Sequence, residues 1–254
     1  MTGAVLFVSD DIMVGVRSFV FNVVFYVNMI VWTILLLPTL ALPRIVFCRL
    51  VIYWIKLSFW FLKVICGTDY EFRGLEKLPK GGFLVACKHQ SMWETLALFL
   101  VFEDPAFILK RQLQWIPFYG WYTLKHRSIA INRKGGAVTL TAMNEQASKA
   151  AAAGRQIVIF PEGTRTAPGA PPAYKYGIAH MYDQMNVTCV PVGLNAGVFW
   201  PRRKFLRYPG KIVVEIAEPI APGLGRDAFM DVMKSRIEES SNRLLAEAQA
   251  GRRG

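Results

Sequence analysis

Two short stretches of the sequence place ionisable side chains directly after apolar, strand-like runs. In residues 88–94, a histidine, His89, precedes a carboxylate, Glu94, by five positions. A carboxylate that bonds an imidazole orients it and raises its basicity, so this pair predicts a general base. Ser91 and Glu94 also have the spacing of a helix capping box, in which the glutamate only accepts backbone N–H groups. This stretch alone supports both interpretations equally.

A nucleophilic mechanism has weaker support. Cys87 lies two residues before His89, so a strand would place both side chains on the same side. A cysteine–histidine pair is conceivable, but the position of Cys87 inside the strand favours inert packing. No Gly-x-Ser-x-Gly sequence is present, which disfavours a serine hydrolase.

The second stretch, residues 160–165, reads Phe-Pro-Glu-Gly-Thr-Arg and also ends an apolar run. Pro161 ends the strand, and Gly163 permits a tight turn with exposed backbone N–H groups. Thr164 adds a hydroxyl group and Arg165 adds a planar cation. Such donors predict a cradle for a phosphate or carboxylate. A surface turn with a solvated arginine is the alternative.

Alternating strands and helices are expected to position these two stretches. The predicted strands are 83–88, 106–110, 128–131, 156–160, 187–194 and 211–217, and the predicted helices are 92–102, 136–153, 174–183 and 227–248. This alternation predicts an α/β fold with a mixed, mostly parallel sheet flanked by helices. Both stretches would then lie at the carboxyl edge of the sheet, where such folds place their sites.

The N-terminal third has the composition of a membrane segment. The 26 residues from Ser18 to Pro43 carry no charge. As one helix they would reach about 39 Å, enough to cross a bilayer core of about 30 Å. Pro38 and Pro43 indicate a break before the end of this run. We therefore predict a membrane-embedded helix over about 18–43.

The next run, residues 45–66, is apolar but carries Arg49, Lys56 and Lys63 at intervals of seven. This spacing places the three cations on one narrow helical stripe, which is typical of a helix lying in a membrane interface. A buried core helix with three snorkelling cations is the alternative. We predict that residues 1–66 anchor the protein and that residues 67–254 form the catalytic domain. Because most flanking cations follow the first helix, that domain is expected on the cytoplasmic side of a cell membrane.

Composition supports an anionic partner. The chain has 30 Lys and Arg against 18 Asp and Glu, a net charge of +12, and 53% hydrophobic residues. These values exclude a disordered chain and favour membrane phospholipid or nucleic acid as partners. Residues 199–208 interleave cations with aromatic side chains, and next to an anchor they favour headgroup or acyl-carrier contact over a solvated loop, with nucleic acid last. The four cysteines are expected to be reduced.

Taken in order, these motifs resemble the glycerolipid acyltransferases, and most closely the bacterial 1-acylglycerol-3-phosphate acyltransferases. That family shows His-x4-Asp, a short block ending in Arg, Phe-Pro-Glu-Gly-Thr-Arg, and Val-Pro-Val. In this sequence the first motif corresponds to residues 89–94 and the second to residues 129–133, which end in Arg133. The third corresponds to residues 160–165 and the fourth to residues 190–192. Glu94 stands where the family usually has Asp, and Asn132 replaces an acid in the second block.

The resemblance implies transfer of an acyl group from acyl-CoA or acyl carrier protein to the sn-2 hydroxyl of lysophosphatidic acid. His89 would take the hydroxyl proton and Glu94 would hold its tautomer. Backbone N–H groups near Gly163 would stabilise the oxyanion. Arg133, Arg165 and Lys110 would hold the glycerol phosphate, and Glu162 would bond Arg165 or a substrate hydroxyl. No metal or other cofactor is expected, since the thioester supplies the driving force. Acylation of another lysolipid or of glycerol 3-phosphate, and non-catalytic lipid binding, are the alternatives.

Overall fold

The computed structural model of the protein describes residues 2–132 and 136–251, and for residues 2–11 and 136–140 it describes the backbone alone. Its strands are β1 (Thr68–Arg73), β2 (Leu84–Cys87), β3 (Pro105–Lys110), β4 (Ile129–Ile131), β5 (Gln156–Ile159), β6 (Cys189–Leu194) and β7 (Gly210–Ile216). Its helices are α1 (Thr2–Leu35), α2 (Arg44–Cys66), α3 (Trp93–Val101), α4 (Tyr119–Lys125), α5 (Gly136–Ala152), α6 (Gly177–Met185), α7 (Ala196–Phe199) and α8 (Arg226–Ala250).

The strands form one sheet in the order β1-β7-β6-β2-β5-β3-β4. Neighbouring strands are parallel except for β6 and β7, which are antiparallel. The predicted mixed, mostly parallel sheet is thereby confirmed. All six predicted strands are present, but the sequence analysis missed β1. That strand lies at the sheet edge, and its alternating charged residues leave it half-buried.

The sheet separates two apolar layers, because successive side chains of a strand point to opposite faces. Val85 and Cys87 of β2 pack in the layer that contains α2 and α3. Leu84 and Ala86 pack in the layer that contains α5, α6 and α8. The central strands are therefore covered on both sides, as expected for a parallel sheet.

The N-terminal helices differ in their bounds and in their packing from the prediction. α1 ends at Leu35, a 3₁₀ turn (Leu37–Leu40) contains Pro38, and α2 begins after Pro43. The expected break is thus present, eight residues before the predicted end of the first helix. Both helices are long and apolar enough to cross a membrane by length and composition.

Much of the apolar face of α2, which the sequence analysis assigned to a membrane interface, packs in the protein core. The buried residues of this face are Phe47, Val51, Ile55, Ser58, Phe59, Leu62 and Cys66. The three cations are exposed, together with Tyr53, Trp60 and Val64. The apolar periodicity of the sequence does not distinguish a protein core from a bilayer, which is why this burial was not predicted. Because the rest of the apolar surface of α2 is buried, only the exposed face is free to contact lipid.

The first helix packs directly on the α/β part of the chain. Phe21 and Phe25 are buried against Trp200, with ring centroids 5.3 and 5.4 Å apart. At its other end, the hydroxyl of Tyr122 in α4 donates to the carbonyl of Thr33. These contacts hold the part of α1 between Phe21 and Thr33 against the domain.

Candidate active site

The two motifs meet at one edge of the sheet. β2 and β5 are parallel neighbours, with Leu84 opposite Ile157 and Ala86 opposite Ile159. Because parallel strands end at the same edge, the residues that follow Cys87 and Ile159 lie side by side. The prediction that both stretches occupy the carboxyl edge agrees with this arrangement.

His89 and Glu94 are in direct contact. Nδ1 of His89 lies 2.9 Å from Oε1 of Glu94, and their side chains are 14% and 0% exposed. A carboxylate only accepts hydrogen bonds, so Nδ1 carries the proton and donates. Nε2 of His89 is then the nitrogen with a free lone pair, as a general base requires.

The same carboxylate oxygen also caps the start of α3. Oε1 of Glu94 accepts the N–H groups of Gln90 and Ser91, each at 2.7 Å. The hydroxyl of Ser91 in turn accepts the N–H of Trp93 at 3.1 Å. The capping and dyad interpretations are therefore compatible, since one oxygen of Glu94 makes both sets of contacts.

The ring of Phe160, which the motif did not predict to contact His89, packs on one face of the imidazole. Phe160 stacks on His89 with ring centroids 4.0 Å apart and an interplanar angle of 19°.

Cys87 is fully buried, and this burial raises the pKa of its thiol well above the usual value. A buried, protonated thiol is a poor nucleophile, which argues against the cysteine–histidine alternative.

The turn of the second motif is built against the His89 segment. Gly163 has φ of +69°, a conformation that glycine adopts without strain, and its N–H donates to the carbonyl of Phe160 at 2.9 Å. The N–H of Thr166 donates to the carbonyl of His89 at 2.8 Å. The Gly163 N–H thus closes the turn and is engaged within the protein, which does not match the oxyanion role predicted for this donor.

Glu162 faces inward rather than toward the pocket or Arg165. Its side chain is 0% exposed. Oε1 lies 2.9 Å from Nζ of Lys88 and accepts the hydroxyl of Thr166 at 2.8 Å, while Oε2 accepts the N–H of His89 at 3.0 Å. The expectation that Glu162 bonds Arg165 or a substrate hydroxyl does not match these contacts, because protein donors engage both oxygens.

A cationic pocket of about 270 Å³ lies beside the His89 segment. Arg165 and Gln90 line it together with two residues of the loop after α7, Arg202 and Lys204. No acidic residue lines it, and none of its three cations forms an ion pair with the described residues. Nε of Arg165 is buried without a hydrogen-bond partner in the described part of the chain. The pattern of residues 199–208 predicts headgroup or acyl-carrier contact for this loop, but it does not predict a pocket.

Not every cation of that loop is available to a ligand. Arg207 is 6% exposed and packs on Trp200, with its guanidinium 4.5 Å from the ring centroid. It donates to the carbonyls of Lys204, Phe205 and Leu206, and burial lowers its pKa to about 10. Arg207 therefore shapes the loop from within.

Two of the remaining predicted site residues, Lys110 and Thr164, lie along the same edge. Lys110 is the last residue of β3 and is exposed. β3 is separated from β2 by β5 alone, so Lys110 lies roughly 10 Å along the edge at about 4.8 Å per strand. Thr164 is exposed in the turn. Arg133 lies outside the described residues, directly after Asn132.

Comparisons with known proteins agree with this geometry. The 1-acyl-sn-glycerol-3-phosphate acyltransferase of Pseudomonas aeruginosa is 32% identical over 240 residues, covering 92% of this chain and 91% of that protein. The mouse protein named 1-acyl-sn-glycerol-3-phosphate acyltransferase alpha is 28% identical over 163 residues, covering 63% of this chain and 57% of its own length.

A solved structure shares the fold. The crystal structure of the 1-acyl-sn-glycerophosphate (LPA) acyltransferase from Thermotoga maritima superposes with a TM-score of 0.77, covering 91% of this chain and 97% of that one at 22% identity. A family model described as Acyltransferase matches residues 69–195, half of the 254-residue chain. The chain therefore belongs to the acyltransferase family.

Proposed function

We propose that this protein transfers a fatty acyl group from a thioester to the sn-2 hydroxyl of 1-acylglycerol 3-phosphate, giving phosphatidic acid. The observation that carries the proposal is the 2.9 Å contact between His89 and Glu94 beside a pocket with three cations. A general base next to an anion site is what acylation of a phosphate-bearing alcohol requires. The relatives' names supply the acceptor, and acyl-CoA or acyl carrier protein is the proposed donor.

In the proposed reaction, Nε2 of His89 accepts the proton of the acceptor hydroxyl as its oxygen attacks the thioester carbonyl. Glu94 holds the opposite nitrogen and stabilises the imidazolium that forms. The C–O bond forms, the C–S bond breaks, and the departing thiolate takes the proton back from His89. General-base assistance of this kind contributes about 10²–10⁴-fold to the rate.

The acceptor phosphate would bind in the cationic pocket. Arg165 offers a planar fork of donors, and Arg202 and Lys204 extend the positive surface. Lys110 would approach the same ligand from farther along the sheet edge, and Arg133 is also proposed to bind it. The amide groups of Thr164 and Arg165 would face the developing oxyanion, a contribution of about 10²–10³-fold where such donors have been removed from other enzymes.

The lipid acceptor also implies a location. The exposed apolar face of α1 and the exposed cations of α2 would hold the protein at the bacterial inner membrane, with the sheet edge on the cytoplasmic side. Membrane phospholipid would then surround the acceptor as it enters the site, and no nucleic acid is involved.

An acyl-transfer assay tests the proposal. The full chain, in vesicles, is given labelled acyl-CoA and a panel of acceptors that includes 1-acylglycerol 3-phosphate and glycerol 3-phosphate. We expect phosphatidic acid from the first acceptor and at least a 10²-fold loss with His89→Ala. Failure of the wild-type protein to transfer, with the lysolipid still bound, would instead support the non-catalytic lipid-binding alternative.

Single substitutions test the pocket. Arg202→Gln and Lys204→Gln should each raise KM for the lysophospholipid by about tenfold, since a hydrogen bond to a charged group contributes about 1.5–3 kcal/mol. Arg203→Gln is the matched control, because Arg203 is exposed in the same loop and does not line the pocket. Equal effects of all three changes would indicate a general surface charge effect in place of a phosphate site.

A further inference from the structure

A buried ion cluster adjoins the His89–Glu94 pair and has no part in the proposed chemistry. Nζ of Lys88 lies 2.9 Å from Oε1 of Glu162 and 2.6 Å from Oε1 of Glu238. The side chains of Lys88 and Glu162 are 3% and 0% exposed. Charges this deeply buried are unusual, and they persist only where paired and hydrogen-bonded.

Glu162 connects this cluster to the main chain of the proposed base. One of its oxygens is held by Lys88 and by the hydroxyl of Thr166. The other accepts the N–H of His89. The carboxylate therefore bridges the cation and the backbone of His89.

Glu238 brings the C-terminal helix into the same cluster. It lies on α8, and its Oε1 accepts the hydroxyl of Tyr174 as well as the ammonium of Lys88. Burial and the neighbouring carboxylate raise the pKa of Tyr174, which keeps this hydroxyl a donor. One cation thus serves two carboxylates whose Oε1 atoms both lie within 2.9 Å of it.

We propose that Lys88 is a positioning residue for His89, acting through Glu162 and balanced by Glu238. The inference rests on the proposed function, since it assigns His89 the role of base. Without the Lys88 ammonium, the buried carboxylate of Glu162 and the partly buried carboxylate of Glu238 would repel each other across the space it fills. Glu162 would turn, and the N–H of His89 would lose its acceptor.

The expected kinetic signature is a loss of kcat with KM unchanged. Displacement of a reacting group by about 1 Å can lower the rate about 10²-fold. Lys88→Met, which keeps most of the stem and removes the charge, should therefore lower kcat by about 10²-fold. KM for both substrates should be unaffected, because neither Lys88 nor Glu238 lines the cationic pocket.

Rescue by a second substitution separates positioning from general destabilisation. Lys88→Met with Glu238→Gln removes the repulsion, so kcat should recover about tenfold over Lys88→Met alone. Lys88→Met with Glu239→Gln is the matched control, because Glu239 is the next residue of α8, is exposed, and has no ion pair with the described residues. Recovery in both double variants, or in neither, would overturn the proposal.

A spectroscopic measurement keeps this test independent of the acyl-transfer assay. The chain has three histidines, so ¹⁵N-histidine labelling can resolve the Nδ1 proton that His89 donates to Glu94. That resonance should shift or broaden in Lys88→Met and return with Glu238→Gln. An unchanged spectrum in Lys88→Met would refute the positioning role, even if the protein showed no acyl transfer. The proposed function, in contrast, is refuted only if the wild-type protein fails in the acyl-transfer assay.

If Lys88→Met does not fold, Thr166→Val provides an isosteric alternative. It removes the hydroxyl that donates to Glu162 at 2.8 Å and preserves the backbone N–H that donates to His89. It should lower kcat severalfold with KM unchanged and shift the same resonance. Wild-type kcat and spectrum in Thr166→Val would overturn the idea that the orientation of Glu162 controls His89.

Discussion

Replacing Glu94 by Gln separates the two contacts that one carboxylate oxygen makes. The amide oxygen of Gln can still accept the N–H groups of Gln90 and Ser91, so the start of α3 keeps its cap. The same oxygen can also accept the Nδ1 proton of His89. The substitution removes the negative charge, which is the part that catalysis would use. It also replaces Oε2, which is buried without a hydrogen-bond partner in the described part of the chain, by an amide NH2 group.

The expected magnitude follows from the geometry. As His89 takes the substrate proton, an imidazolium forms about 4 Å from the centre of a buried carboxylate. At an effective dielectric constant of about 20, such a pair attracts by about 4 kcal/mol. At about 1.4 kcal/mol for each factor of ten, loss of this attraction should lower kcat about 10³-fold.

The assay measures kcat for phosphatidic acid formation beside the thermal midpoint. Glu94→Gln should lose less than about 1 kcal/mol of stability, or about 2–4 °C in a domain of this size. Glu94→Asp keeps the charge on a side chain about 1.5 Å shorter, so it should be more active than Gln but less stable. Glu103→Gln, which removes an exposed carboxylate just after α3, is the control for net charge. A Glu94→Gln enzyme within tenfold of wild-type kcat would refute the dyad and leave Glu94 as a cap.

Three further outcomes are expected. Cys87→Ala should retain wild-type kcat, because the thiol is fully buried; a large loss in acyl transfer would restore the cysteine mechanism. Reversing Arg49, Lys56 and Lys63 to Glu in the full chain should weaken binding to anionic vesicles about fivefold or more per residue, with neutral vesicles as the comparison. Burial lowers the pKa of His126 from about 6.5 to about 4. As pH drops, the unfolded chain therefore takes up this proton before the folded one does, and the free energy of unfolding should fall by about 3 kcal/mol between pH 6.5 and pH 4. A His126→Gln variant with the same pH dependence of stability in denaturant titrations would contradict this.

Local patterns sufficed for most of the architecture. The apolar runs that became β2 and β5 predicted both strands to within one residue at each end, and the polar stretches after them predicted the site edge. Strand β1 was not predicted, because an edge strand with alternating charges lacks the apolar run of a central strand. Helix α4 was not predicted, because seven residues are too few to show a helical apolar periodicity. It is held by contacts with α1 and α2 that are distant in the sequence.

The site was predicted where partners are close in the chain and missed where they are distant. His89 and Glu94 are five residues apart, so their contact is encoded locally. Apart from Thr166, the partners of Glu162 are 73 and 74 residues away, at His89 and Lys88. Glu238 is farther still, 150 residues from Lys88. No spacing rule links such positions. The parallel pairing of β2 with β5 brings Glu162 beside Lys88 and His89, and the packing of α8 on β6, the other neighbour of β2, brings Glu238 to Lys88.

Contacts connect α1 with the edge of the sheet that carries His89. The hydroxyl of Ser18 accepts the N–H of Arg207 at 2.8 Å, which ties the first helix to the cationic loop. In the same loop Arg202 donates to the carbonyl of Arg165, and the next residue, Thr166, donates to the carbonyl of His89. Three hydrogen bonds, joined by short stretches of the chain, thus connect α1 to the proposed base. If α1 rests in the bilayer, the depth of that helix also sets the height of the cationic pocket and of His89 above the lipid. A lysophospholipid can then present its phosphate and hydroxyl to the site while its acyl chain stays in the membrane.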